Sequence, residues 1–249
     1  MPFLGVSILI QILCAVHCIR GGRNSMWLTA IIFLSIPGCL AYAFFEILPE
    51  YQGRRGVRAA KAAAAKKLDP ERDIRAAREA LELADTVANH SGLGDAFAEN
   101  ERWAEAAKAY RDALSRLPDG DRGLQVKLAR SELEAGNAAA ARDLLQEVPA
   151  SGSASENDCT ALLLARSLDD SGDADGALLL YAQLGERLAG AEPQCRHAAL
   201  LIRLGRDGEA LPLLEETERR ARRIDRFERM RDSDMYDWAA RTLTELRAA

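Results

Sequence analysis

The sequence predicts an all-α protein: two apolar helices at the N-terminus, then an α-solenoid of about four helix pairs with flanking helices. Three observations predict it. Residues 2–48 hold two long apolar runs, residues from 93 onward repeat one small–large apolar spacing, and the interval of that repeat is close to 34 residues. The expected division is a transmembrane hairpin over 1–50, a basic linker over 51–70 and the repeat domain over 71–249.

Charge follows the same division. The whole chain carries −5. Residues 1–50 balance to zero, residues 51–67 hold six bases and no acid, and residues 68–249 sum to −11. So acidic a repeat region argues against general nucleic-acid binding, because a phosphate backbone rewards positive surface. The five cysteines (14, 18, 39, 159 and 195) show no paired spacing, which argues for reduced thiols.

Pro2 to Ile19 is apolar except for Gln11 and His17, and Met26 to Leu48 has no charge before Glu46. As helices the two runs reach roughly 27 and 34 Å, against a hydrocarbon core of about 30 Å. The short turn Arg20 to Ser25 makes them an antiparallel membrane hairpin. A cleaved signal peptide competes with this reading, as does a lipoprotein signal at Ile36-Pro37-Gly38-Cys39. The uncharged start and the run continuing to Leu48 speak against both. Arg54, Arg55, Arg58, Lys61, Lys66 and Lys67 follow as a basic helix. They are membrane-surface residues that either touch anionic headgroups or set topology. They place the repeats in the cytoplasm beside an inner (plasma) membrane. Arg20 and Arg23 in the turn are the contrary signal, leaving an outward-facing domain as the alternative.

Asp69-Pro70 starts an introductory helix with Asp69 as cap, and Ile74, Ala77, Leu81 and Ala84 form its apolar face. Repeats are expected over 87–120, 122–149, 158–190 and 191–223. Glu101, Gly136, Gly172 and Gly205 share one turn position at intervals of 35, 36 and 33. Ala106, Ala141, Ala177 and Ala210 keep the same intervals, each followed four residues later by Tyr110, Leu145, Tyr181 or Leu214. Leu128-Ala129-Arg130-Ser131 recurs as Leu164-Ala165-Arg166-Ser167. Ala150 to Glu156 is expected as a flexible loop. Tyr236, Trp238, Ala239, Leu243 and Leu246 mark a last helix that closes the stack.

With Leu93-Gly94, Phe97, Trp103, Ala106, Tyr110, Ala113 and Pro118 in one unit, residues 72–249 resemble the tetratricopeptide repeat (TPR) family. His90 stands where that family has an aromatic, and Glu101 where it has the turn glycine. The resemblance implies a concave groove lined by the first helix of each repeat. It places Asp95, Arg130, Arg166 and Asp169 towards the groove, with Arg203 nearer its edge. Arg130 and Arg166 hold the same place in successive repeats, a spacing of guanidinium groups suited to carboxylates. The family's chaperone-tail-binding set is not matched, since Ser91 and Asp95 stand at two of its places. The apolar segment, through Trp27, Pro37-Gly38 and Tyr42, resembles the N-terminal membrane segment of cardiolipin synthases and phospholipase D-like proteins. Their chemistry needs a lysine two residues after a histidine. His17, His90 and His197 are followed there by Ile19, Gly92 and Ala199, so the segment implies an anchor without phosphotransfer.

The bland readings of the remaining candidates stand. His17 with Cys14 and Cys18 reads as helix packing rather than a metal or haem site. His90 reads as a half-buried substitute for an aromatic, and Cys195 and His197 do not share a helix face. The arginines of 219–231, interleaved with acids, read as a solvated helix. No catalytic set, metal or cofactor is implied. The expected function is a membrane-anchored scaffold or adaptor binding a protein or peptide. The alternative is an accessory factor of phospholipid metabolism or envelope assembly.

Overall fold

A computed structural model describes residues 2–20, 26–42, 69–188 and 190–248. Among the described residues every regular element is a helix. They divide into two compact units, Met1–Arg72 and Asp73–Ala249. The basic residues of 54–67 lie outside the described residues.

In the first unit, α1 (Pro2–Arg20) and α2 (Met26–Tyr42) bury Cys18, Ile31, Cys39 and Tyr42 in one apolar cluster. Gln11 donates to the Ile31 carbonyl at 3.2 Å, and His17 Nδ1 lies 3.0 Å from the Tyr42 hydroxyl. Residue numbers therefore rise together along both helices, which a straight antiparallel pair does not produce. Pro37 sits inside α2, and a Cβ built on Gly38 collides with the carbonyl oxygen of Ala30. In a straight helix those residues are about 12 Å apart, so α2 folds over where proline removes a backbone donor. Among the described residues no helix is long and apolar enough to cross a membrane. The spanning antiparallel hairpin expected from the sequence is thus unsupported, and residues 43–48 of its second run lie outside the described residues.

The second unit begins with α3 (Arg72–Leu83). Arg72 bonds back to the Asp69 carbonyl, so Asp69 and Pro70 form a turn ahead of the helix rather than its first turn. Ile74 is buried and Ala77 packs beside it, while Ala84 falls beyond the helix and is exposed. Four pairs follow: α4 (Val87–Glu99) with α5 (Trp103–Leu114), α6 (Arg122–Glu134) with α7 (Ala138–Glu147), α8 (Ala154–Asp170) with α9 (Ala174–Arg187), and α10 (Glu192–Arg203) with α11 (Asp207–Ala221). Each of the first three second helices packs on its own first helix and on the first helix of the next pair. A short α12 (Arg226–Arg231) leads to α13 (Ser233–Ala248), which packs on α10 and α11 and buries Tyr236, Ala239 and Leu243.

The repeat intervals hold at atomic level. Ala106, Ala141, Ala177 and Ala210 are fully buried, as are Tyr181 and Leu214, with Tyr110 and Leu145 nearly so. A methyl at each alanine lets the two helices of a pair approach, and the larger residue one turn on fills the layer between pairs. Glu101, Gly136, Gly172 and Gly205 are all left-handed, with φ of 57°, 88°, 91° and 71°. At every turn the same two bonds close the first helix. In the second pair Gly136 N–H donates to Leu133 O and Asn137 N–H to Glu132 O; Gly172 and Asp173, and Gly205 and Arg206, repeat them. This double bond over a left-handed residue is the Schellman ending.

The connection between the second and third pairs is shorter than expected. Ser153 accepts from the Glu156 N–H and caps α8, which already includes Ala154 to Glu156. Ser151 donates to Glu156, and its N–H donates to Asn157 Oδ1, so the serines tie the chain down instead of loosening it.

Candidate functional site

The repeated Leu-Ala-Arg-Ser stretch explains how side chains are sorted on α6 and α8. Leu128 and Ala129 are buried, and Ser131 turns its hydroxyl into its own helix, donating to the Lys127 carbonyl at 2.9 Å. Ser167 does the same to Leu163. With those three positions facing inward, helical phase sends Arg130 outward.

Arg130 lines a cleft of about 390 Å³ between the first and second pairs. Asp95, Ala98 and Glu99 come from α4, Trp103 and Tyr110 from α5, and Lys127, Arg130 and Ser131 from α6. Gly94 makes the cleft possible: a Cβ there would lie 2.5–2.9 Å from the Tyr110 ring, so only hydrogen lets the ring lie against α4. The Tyr110 hydroxyl donates to Asp95 Oδ1 at 2.7 Å, and Lys127 Nζ donates to both Asp95 oxygens at 2.8 and 3.0 Å. Burial, then the Asp95 bond, pushes the Tyr110 phenol well above its ordinary value, so it remains a fixed donor. Arg130 has no ion-pair or hydrogen-bond partner among the described residues. The cleft thus offers two aromatic rings, two acids (Asp95, held by Tyr110 and Lys127, and Glu99) and the guanidinium of Arg130.

The other expected groove residues are paired. Arg166 donates to Glu134 at 2.8 Å, with the two side chains 16% and 28% exposed. Arg203 pairs with Asp169, and the Tyr181 hydroxyl stands 3.4 Å from the same carboxylate. Burial, then the Asp169 charge, raises the Tyr181 phenol as well. Asp95–Lys127, Glu134–Arg166 and Asp169–Arg203 form one series: an acid of one repeat bonded to a base of the next. Lys127, Glu134, Trp103 and Tyr110 were not marked from the sequence as groove residues. The signal for the pairs was a separation of one repeat length between opposite charges.

Elsewhere the chemistry is closed. His90 is buried, its side chain 9% exposed, with Nε2 2.6 Å from Asp85 Oδ1. Arg116 bonds the same carboxylate and, with the His90 bond, holds Asp85 below the usual carboxylate range. An orphan such as the buried, unpaired Nδ1 of His90 costs about 1–3 kcal/mol. Burial pushes the Cys195 thiol up to about 12 and lowers His197. Cys195 faces the Met235 carbonyl at 3.6 Å. Of the arginines after residue 218, Arg222 pairs with Glu218 and Arg219 with Glu216, each about one turn away, while Arg247 reaches Glu215. Among the described residues no His, Cys, Asp and Glu cluster could hold a metal.

No protein-family model matches the chain, and no curated protein matches it. Among solved structures, YrrB, described as a TPR protein with an unusual peptide-binding site, is similar at 21% identity. That likeness covers 63% of this chain and 79% of that chain, with a TM-score of 0.49. The repeat geometry of the chain itself decides its class: four antiparallel pairs at intervals near 34, the first three second helices each held between two first helices and the fourth between its own first helix and α13. The second unit is a TPR-like helical repeat. In this TPR-like stack the cleft lies where first helices of neighbouring repeats come side by side.

Proposed function

We propose that this protein is a scaffold that binds a peptide or protein partner along the first helices of its repeats, and that it performs no catalysis. The cleft between the first two pairs is the centre of that site. One observation carries the reading: Arg130 is left unpaired beside Trp103 and Tyr110 in a stack whose other groove charges neutralise one another. A guanidinium that shares a cleft with aromatic side chains suits an acidic group next to an apolar one on a partner. Asp95 positions Tyr110 and Lys127. Arg166, Asp169 and Arg203 extend the groove, and a partner reaches them by exchanging their internal pairs.

The first unit supports a finer reading, attachment to a membrane. Ile12, Leu13, Ile19, Ile32, Phe33 and Leu34 are exposed on α1 and α2, an apolar surface that water does not favour. With the basic run of 54–67 beside an anionic leaflet, the repeats would sit on the cytoplasmic face of an inner membrane and meet partners at raised effective concentration.

The test places a photo-crosslinking residue in place of Ala98, at the cleft, and of Arg219, away from it, in cells. The reading expects one defined partner from position 98, absent from position 219, and lost when Arg130→Glu is added. Crosslinks of equal pattern from both positions would end it. Alkaline carbonate extraction of membranes tests the tether separately, and release of the full chain into the supernatant would remove that part alone.

A further inference from the structure

Residues 219–231 hold seven arginines against Asp225 and Glu228, a local charge of +5 inside a repeat region that sums to −11. The run begins in the last turn of α11, passes the bend over 222–225 and continues through α12. This corner is fixed from beneath. Ile224 packs into the core shared by α10, α11 and α13, and Asp232 accepts the Ala191 N–H at 3.1 Å.

The acids nearby do not neutralise the run. Arg219 and Arg222 pair with Glu216 and Glu218 on α11. Arg229 and Arg231 reach Asp237 and Asp232 only at 4.0 and 3.8 Å, too far for hydrogen bonds. The guanidiniums of Arg220, Arg223 and Arg226, at steps of three residues, have no ion-pair or hydrogen-bond partner among the described residues. Cations at the end of α11 oppose its dipole, but that effect fades within the last turn, and the arginines continue beyond it.

Exposure indicates the kind of partner. The side chains of Arg222 and Arg231 are 73% and 67% exposed, and Met230 stands among the arginines at 62%. Side chains that protrude this far suit a flat, repeating anionic surface better than a peptide, which is gripped in a groove. A nucleic-acid backbone would take the arginines and leave Met230 in water. An anionic bilayer takes both, with headgroup phosphates for the guanidiniums and the acyl boundary for the thioether.

We infer that the corner made by the end of α11 and by α12 binds the headgroups of anionic phospholipids, with Arg220, Arg223 and Arg226 on the phosphates and Met230 at the acyl boundary. The contact belongs to the repeat unit. It depends neither on the groove nor on attachment through the apolar first unit.

The experiment mixes the full chain with vesicles of phosphatidylcholine alone, or of phosphatidylcholine and phosphatidylglycerol in equal parts, and follows amide hydrogen exchange by mass spectrometry. With phosphatidylglycerol, the amides of 219–231 should exchange roughly threefold or more slowly than with phosphatidylcholine alone, while those of α7 do not change. The difference should vanish at about 1 M salt, where charges are screened beyond about 3 Å. The triple variant Arg220→Glu, Arg223→Glu, Arg226→Glu should abolish it, and Met230→Asp should remove most of it. These side chains are unpartnered or exposed, so the fold does not rest on them. No difference between the two vesicles at 219–231, or a difference that survives either variant, would overturn the inference. Equal slowing by soluble poly-glutamate would overturn it in favour of an acidic protein partner. Attachment through the first unit is scored separately, because it would appear with phosphatidylcholine alone.

Discussion

The junction between the first and second helix pairs and the junction between the second and third each carry one glutamate and one arginine at equivalent places. Glu99 and Arg130 stand at the first where Glu134 and Arg166 stand at the second, two residues before the turn and six before it. At the second junction the pair closes at 2.8 Å. At the first, both residues line an open cleft and no ion pair joins them. The difference lies in the helix between. Trp103 and Tyr110 occupy α5 where α7 has Ala138 and Leu145. Large rings, one of them hydrogen-bonded to Asp95, hold the first junction apart; small residues let the second shut. The unpaired arginine thus coincides with large rings one helix away, while the Asp95–Lys127 pair at the same junction still closes.

The largest effect should come from breaking the closed junction. Arg166→Ala leaves Glu134 partly buried without its cation, and Glu134→Ala strands Arg166, whose Nε is already buried and unpaired. Each should cost about 2 kcal/mol, within the range for a charged hydrogen bond removed from one side. Arg130→Ala, removing an exposed side chain without a partner, should stay within about 0.5 kcal/mol. Urea denaturation with an unchanged m-value is the measurement. Equal costs at 130 and 166 would mean that the two junctions do not differ as described.

Much of this was legible in the sequence, and the boundary is physical. Small residues at fixed intervals specify helix contact, so Ala106, Ala141, Ala177 and Ala210 announced four pairs, and every one is fully buried. The turn position was equally plain, since glycine in three of four repeats marks a left-handed residue. What could not be read was which charges find each other. Arg130 and Arg166 look identical in sequence, and only the packing of α5 and α7 separates them. Serines at 151 and 153 suggested flexibility because their capping bonds depend on where α8 begins. In α2, composition gave hydrophobicity but not the fold-over at Pro37.

A second test asks whether the open junction can be converted into a closed one. Gly94 corresponds to Ala129 in the second pair, and Tyr110 to Leu145. Gly94→Ala pushes a methyl into the Tyr110 ring and should cost about 1–2 kcal/mol, the lower half of the overpacking range. The third pair sets that modest figure, for Ala165 and Tyr181 coexist there, with a longer 3.4 Å hydroxyl contact to Asp169. Adding Tyr110→Leu copies the second pair and should recover most of the loss by relieving the overlap. The same double variant should draw Glu99 and Arg130 together, making Arg130→Ala costlier in that background than in the wild type. Additive behaviour in this cycle would show that ring volume does not govern the pair.

The smallest effect concerns the turn of the first repeat. Glu101 alone among the four holds its left-handed position without being glycine, at φ 57°. That angle lies inside the narrow left-handed region an L-residue can occupy, whereas the 91° of Gly172 lies outside it. Glu101→Gly should therefore stabilise by no more than about 1 kcal/mol, since relief of the Cβ clash is offset by the freer unfolded chain. Gly172→Ala should lose more than that, because strain is added at an angle alanine does not tolerate. The ordering is the test: differential scanning calorimetry should show a small rise in midpoint for the first variant and a larger fall for the second. A fall for Glu101→Gly would mean that the Glu101 side chain contributes to the first repeat in a way its backbone angle does not reveal.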